Sequence, residues 1–300
     1  MIRSKIKEYG ADFSLFLVAL AWGGTFFIVQ DAVSKTPVYI FLFWRFFLSA
    51  LLMGIISYKK ILKIDLKTLK AGSLLGVFMF VGFAFQTFGL TLTLSSTVAF
   101  LTGLNVIIVP FLLYIIFKKT ASVYSIFGAV IASGGLYFLT SGGKLGFGAG
   151  ETYALICAFA FALHIVFTDK FSKKHDVFLL VMIQLFVVAF FSFFFSLIFD
   201  KGIMPTNIDT TFIEALVATV LFATVFAFVV QTAMQRYTTP AKTAIIFTLE
   251  PVSAGVFGYF FAGELLNFAQ LGGAFLILFG MLSAELGTYF RNKRQQEFKC

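Results

Sequence analysis

Glu250 and Asn105 each stand near the middle of an apolar run: Glu250, followed by Pro251, within Thr243–Glu264, and Asn105 within Val98–Lys119. A charged side chain at the centre of an apolar span costs about 2.5–3.5 kcal/mol on insertion scales. Such a carboxylate calls for a partner, a water-filled cavity or a bound solute. Pro251 has no N–H and frees the carbonyl of Phe247, so the helix is expected to open locally beside Glu250. Pro110 repeats this more weakly, one turn beyond Asn105. The chemistry on offer is proton exchange at Glu250 and hydrogen bonding at both positions. Interhelical hydrogen bonds that only hold a bundle together are the alternative.

Further polar residues interrupt other apolar runs. Gln86 and Gln231 can hydrogen-bond a solute or each other's helices. His164 is either a packed core residue or a group for a proton-coupled step, since its ordinary pKa lies near neutrality. Trp22-Gly23-Gly24 is expected to break the first span at mid-membrane or to let another helix approach closely. The Trp22 indole can stack on an aromatic ligand or donate its N–H. Arg45, between Trp44 and Phe46, can pair with a carboxylate such as Asp31, bind an anionic group or snorkel to the headgroups; a structural role is expected. Lys242 is a candidate gate or an interfacial lysine. Glu214 and Glu285 read as interfacial, and Ala254, Gly258 and Ala262 as a small-residue ridge for close helix packing. Gly146, Gly148 and Gly150 lack the strand and the Lys-Ser/Thr of a phosphate loop and read as a flexible link.

These positions need spanning helices to hold them. The 300 residues are 60% hydrophobic and 12% charged, with 44 Phe and a mean hydropathy of +0.97, whereas soluble domains carry about 25% charged residues. The chain reads as an all-α integral membrane protein. Spans are expected at about 12–30, 38–57, 71–90, 96–117, 122–140, 151–169, 177–199, 211–235, 241–262 and 268–290. The net charge of +9 does not mark a nucleic-acid binder, because the basic residues sit in short hinges rather than on one soluble face. Placing the N-terminus inside assigns 18 of the 23 Lys and Arg to inside segments and 3 to outside hinges, the positive-inside pattern. The first span is expected to stay uncleaved. Cys157 and Cys300 provide no disulfide framework or metal spacing, and no cofactor or metal is expected.

Internal similarity sets the architecture. A shift of 145 pairs Gln86-Thr87 with Gln231-Thr232, Leu104 with Leu249, Asn105 with Glu250, Gly128 with Gly273 and Gly135 with Gly280; a shift of 139 pairs Arg45 with Gln184. The expected organisation is an N-tail (1–11), a five-helix repeat (12–140), a link (141–150), a second five-helix repeat (151–290) and a C-tail (291–300). Five helices per repeat insert the second half upside down, the arrangement of alternating-access transporters with midplane sites.

Trp22-Gly23 with Phe26, Pro37 followed by Arg45-Phe46-Phe47, Leu249-Glu250-Pro251, Gly263-Glu264 and the Gly272-Gly273 to Gly280 run resemble, in that order, the EamA-type transporters of the drug/metabolite transporter superfamily. The resemblance covers nearly the whole chain. It implies a bacterial inner-membrane carrier with ten helices and both termini cytoplasmic, usually exporting amino acids or related metabolites. It also implies a central cavity lined by the first, third, fourth, sixth, eighth and ninth spans.

The reading from sequence is therefore a secondary transporter, not an enzyme, that moves a small metabolite by alternating access, with an amino acid exporter first. The expected cavity residues are Trp22, Gln86, Asn105, His164, Gln231 and Glu250, with Glu250 or His164 for proton coupling. Gly23, Gly24 and Pro251 are the expected helix breaks, and Arg45 and Lys242 the candidate gate or charge pair. Expected partners are the solute, the bilayer and protons, with the chain a monomer or homodimer. A uniporter or lipid-linked sugar flippase is the alternative, and an intramembrane enzyme a distant one.

Overall fold

The computed structural model describes residues 2–118, 122–141, 148–205, 208–234, 237 and 246–297, and among them all regular structure is helical. The helices are α1 (Ile2–Lys35), α2 (Val38–Ile61), α3 (Leu66–Leu90), α4 (Ser95–Gly103), α5 (Asn105–Phe117), α6 (Val123–Ser141), α7 (Ala149–Ser172) and α8 (Val177–Phe195). After a π-helical turn at Ser196–Asp200 come α9 (Thr210–Ala218), a π-helical stretch (Thr219–Phe226), α10 (Ala227–Met234), α11 (Leu249–Ala262) and α12 (Phe268–Glu297). Among the described residues eight helical segments are long and apolar enough to span a bilayer, and Val123–Leu139 is a shorter apolar one. Of the expected span 241–262, only the part from 246 onward is described.

Local chemistry places the ends. Pro37 (φ −54°) immediately precedes α2, using the dihedral its ring imposes. Asp65, Asp176 and Asp209 cap α3, α8 and α9, accepting from Thr68 N (2.9 Å), Phe178 N (2.9 Å) and Phe212 N (2.9 Å) respectively. Such caps satisfy N–H groups that have no partner within the helix. The hinge expected over 58–70 is thus only residues 62–65. A second correction concerns α1, which runs unbroken through Gly23-Gly24.

The internal register reappears in three dimensions. α5 ends at Lys118 with φ 56° and α11 at Gly263 with φ 65°, both left-handed C-terminal residues and both 145 apart in sequence. The α4–α5 break falls at Leu104, and the chain breaks again at Thr248, ahead of α11. α6 packs on α12 through two glycine crossings: a Cβ on Gly128 or Gly280 would strike the other's carbonyl, and Gly135 and Gly273 oppose each other likewise at 2.6 Å. The shift of 145 maps the first crossing onto the second, as a two-fold axis between the halves requires.

Apolar packing fixes one end of the bundle. Phe26, Val29 and Val33 of α1 join Val98, Phe100 and Leu101 of α4, Ala154 and Ala158 of α7 and Ala254 of α11 in one buried cluster. A polar layer lies beyond it. Gln30 Nε2 donates to the carbonyls of Leu90 (2.9 Å) and Thr93 (2.8 Å), Thr93 Oγ1 donates to Glu151 (2.9 Å), and Lys35 meets Asp209 at 3.4 Å. At the other end Lys60 pairs with Asp176 at 2.8 Å, and Thr68 Oγ1 is hydrogen-bonded to His175 Nδ1 at 2.8 Å.

Candidate functional site

The break at Leu104 puts Asn105 in the first turn of α5, and the break at Thr248 puts Glu250 in the first turn of α11. Pro251 lies one residue further on, so the helix opens where its missing N–H leads one to expect. Pro110 differs: α5 continues through it, and the break lies six residues earlier. Both prolines still withhold a donor from the carbonyl four residues back, that of Val106 and that of Phe247. Both of those residues line the same internal cavity.

The internal space of that cavity is about 60 Å³, well under the roughly 300–1,000 Å³ of small-molecule sites, so a metabolite fits only if the walls part. Trp22, Gln86, Asn105, His164, Gln231 and Glu250 all line it, and α1, α3, α4, α5, α7, α10, α11 and Phe247 just before α11 supply the walls. Those are the spans the family resemblance implied. Packed rings cover the apolar side: Phe247 meets Trp22 at 5.2 Å, Trp22 meets Phe228 at 5.6 Å, Phe228 meets Phe83 at 6.1 Å and Phe83 meets Phe161 at 5.1 Å.

Glu250 is 8% exposed, and among the described residues its carboxylate has no hydrogen-bond partner and no counter-charge. The positive end of α11's dipole is the field it does have, because it lies in that helix's first turn. Gln231 is 2% exposed and its Oε1 has no hydrogen-bond partner. Gln86 Nε2 reaches Thr102 Oγ1 only at 3.4 Å. His164 donates from Nε2 to Gln184 Oε1 at 2.8 Å, which orients the ring and, in its neutral form, leaves Nδ1 as an acceptor.

Three expectations need correcting. The Trp22 N–H is not available to a ligand, since it donates to the carbonyl of Ala223 at 2.9 Å. Gly23 breaks nothing: it lets α11 approach, and a Cβ there would lie 2.5 Å from the Glu250 carbonyl oxygen and 2.9 Å from Ala254 N. Gly24 faces the Phe257 ring at an ordinary 3.4 Å. Arg45 neither pairs with the exposed Asp31 nor snorkels. It is 3% exposed, donates from Nε to Thr224 Oγ1 at 3.0 Å, and lies 4.6 Å and 5.1 Å from the ring centroids of Phe83 and Phe46. Ala223 and Thr224 both belong to the π-helical stretch: Trp22 meets a backbone carbonyl of it and Arg45 a side-chain hydroxyl. Lys242 lies outside the described residues.

Glu264, part of the Gly263-Glu264 motif at the end of its span, has a structural task. It is 8% exposed and accepts from Ser95 N (2.8 Å), Ser96 N (3.1 Å) and Ser96 Oγ, closing the first turn of α4. Gly258 makes room for it, because a Cβ there would lie 2.8 Å from the carboxylate. The expected ridge is therefore divided. Ala254 packs on α1 at Gly23, Gly258 accommodates Glu264, and Ala262 is exposed. Two paired serines opposite a carboxylate after a helix-ending glycine are the sequence signal for this clasp.

With this geometry in place, comparison with known proteins is informative. The sequence model of the EamA-like transporter family matches residues 10–141 and 148–284. An uncharacterized transporter of Archaeoglobus fulgidus is 32% identical over 282 residues, covering 94% of this chain and 87% of that protein. A protein of known crystal structure superposes with a TM-score of 0.69 at 16% identity, covering 93% of this chain and 97% of that one; at that identity the likeness is one of fold.

Proposed function

The chain belongs to the EamA-like transporter family, and from that premise we propose that it is a secondary transporter exporting a small metabolite, an amino acid first, by alternating access. Residues 12–140 and 151–290 act as its two halves, with ten spans and both termini on the cytoplasmic side of the plasma membrane. The cavity between the halves is the binding site, with Asn105, Gln86 and Gln231 as its polar contacts. Glu250 carries the coupled proton, and His164 positions the wall through Gln184.

The observation that supports this most is Glu250 itself: a buried carboxylate in a cavity bounded by both halves, beside a broken helix and without a counter-charge among the described residues. An ionised carboxylate there is costly unless something exchanges with it. The clasp at Glu264 and the apolar cluster behind it favour a conformer closed on that side, the outer one in the expected topology.

The test is uptake of labelled amino acids (aromatic, small neutral, thiol and cationic) into proteoliposomes with and without a pH gradient. Saturable uptake accelerated by the gradient is expected. Saturable uptake indifferent to the gradient would point to a uniporter, and no uptake by folded protein would remove the amino acid assignment.

A further inference from the structure

We propose that the cavity recognises the ammonium end of its solute, so that its ligands are organic amines, with or without a carboxylate. This rests on the proposed function in one respect, that the cavity is where the solute binds.

The inference comes from which hydrogen-bonding groups of the wall are already committed. Both ring N–H donors are: Trp22 Nε1 to the Ala223 carbonyl and His164 Nε2 to Gln184. Two acceptors are not paired among the described residues: Gln231 Oε1, buried without a partner, and the Glu250 carboxylate. The carbonyls of Val106 and Phe247, each deprived of a proline donor, belong to residues of the same wall. A ligand group that supplies several N–H donors and a positive charge satisfies this set. A carboxylate finds only the side-chain amide N–H groups of Gln86, Asn105 and Gln231, with no Lys or Arg in the lining among the described residues and the Glu250 carboxylate opposing it.

The aromatic wall favours the same ligand. Trp22, Phe26, Phe83, Phe161, Phe228 and Phe247 line the cavity, and a cation over such faces, Trp above all, is attracted by the ring quadrupole. Arg45 bears on the orientation. It stands over Phe83, so an ammonium group is held on the Glu250 and Gln231 side, away from that ring.

The experiment uses the purified full chain carrying Trp44→Phe, which leaves Trp22 as the sole indole. Trp44 is outside the cavity and bonds Ile203. Trp22 fluorescence is followed during titration with phenylalanine, phenethylamine and 3-phenylpropanoate, and with leucine, isoamylamine and 4-methylpentanoate. We expect each amine to bind at least as tightly as its amino acid, and each acid about tenfold more weakly or worse, as expected when buried acceptors are left unpaired. Glu250→Gln should weaken amine binding at least tenfold, and Gln231→Glu, which adds an acceptor charge, should tighten it. Gel filtration and near-UV circular dichroism establish that each variant is folded. Acids binding as well as amines, or amino acids binding while amines do not, would overturn the ammonium assignment and leave the carrier reading intact. Saturation by none of the six would overturn the cavity as the site of such solutes and the ammonium assignment with it.

Discussion

Gly23 offers a sharp test of how α1 and α11 are held together. Replacing it with alanine puts a Cβ 2.5 Å from the carbonyl oxygen of Glu250 and 2.9 Å from the nitrogen of Ala254. These are backbone atoms and cannot rotate away. The Ser253 hydroxyl also collides with that Cβ; it can turn aside only by giving up its hydrogen bond to the Glu250 carbonyl, 2.9 Å long. Restoring a contact of about 3.5 Å requires α11 to withdraw by about 1 Å. Overpacking of this kind costs about 1–3 kcal/mol, and the gain from Gly to Ala in a helix interior offsets about 0.5–1 kcal/mol of it. A net loss of about 0.5–2 kcal/mol corresponds to a fall in Tm of roughly 1–3 °C for a chain this size. Because the displaced carbonyl is that of Glu250, transport should fall with it. Gly24→Ala is the control, since its new methyl meets only the edge of Phe257 at 3.4 Å and should leave Tm unchanged or slightly raised. Thermal unfolding in detergent with parallel flux assays reads both. If Gly23→Ala matches Gly24→Ala in Tm and flux, the close α1–α11 approach is wrong.

Other variants probe the remaining contacts. Glu264→Ala strands the buried N–H groups of Ser95 and Ser96, at about 1–3 kcal/mol each, so Tm should fall sharply and a cysteine placed at residue 95 should become reactive to thiol reagents from the Glu264 side. Trp22→Phe keeps a ring in the aromatic wall but removes the indole bond to the Ala223 carbonyl, and should cost about 0.5–1.5 kcal/mol in chemical denaturation. Burial raises the Asp176 carboxyl, but Lys60 at 2.8 Å and the N–H groups of Leu179 and Phe178 pull it further down and hold it below the usual carboxylate range. A lowered carboxylate stabilises the fold above its unfolded pKa and loses that contribution as pH falls through its folded one. Asp176→Ala should therefore cost about 1 kcal/mol at neutral pH, mostly from the lost cap because the ion pair is half exposed. Its stability should converge with that of the parent as the pH drops below the carboxylate range.

The six cavity residues were legible in the sequence because a polar side chain within an apolar span is a one-dimensional signal. The shift of 145 then placed Asn105 opposite Glu250 and Gln86 opposite Gln231. What the sequence hid were effects of side-chain direction and local backbone. Gly23-Gly24 looks the same in a broken helix and a close-packed one, and only the position of Glu250's carbonyl decides. Arg45 carries no mark of its depth: its burial depends on Thr224 and on two phenyl faces from separate helices. Glu264 shows in the sequence only as the end of a span, and the left-handed turn at Gly263 folds it back over Gly258 onto α4. The π-helical stretch gives no periodic signal, yet it supplies the acceptors for Trp22 and Arg45.

The most direct test of the account is gradient-driven flux through Glu250→Gln in proteoliposomes, beside the parent protein and using whichever amino acid the panel selects. If Glu250 is the coupling group, the parent accumulates solute when a pH gradient is imposed. The variant, folded and matching the parent in gel filtration, should then lose that accumulation and at most exchange solute passively. Accumulation by Glu250→Gln equal to the parent's, with the same dependence on the gradient, would contradict the central claim and move the coupling away from this carboxylate.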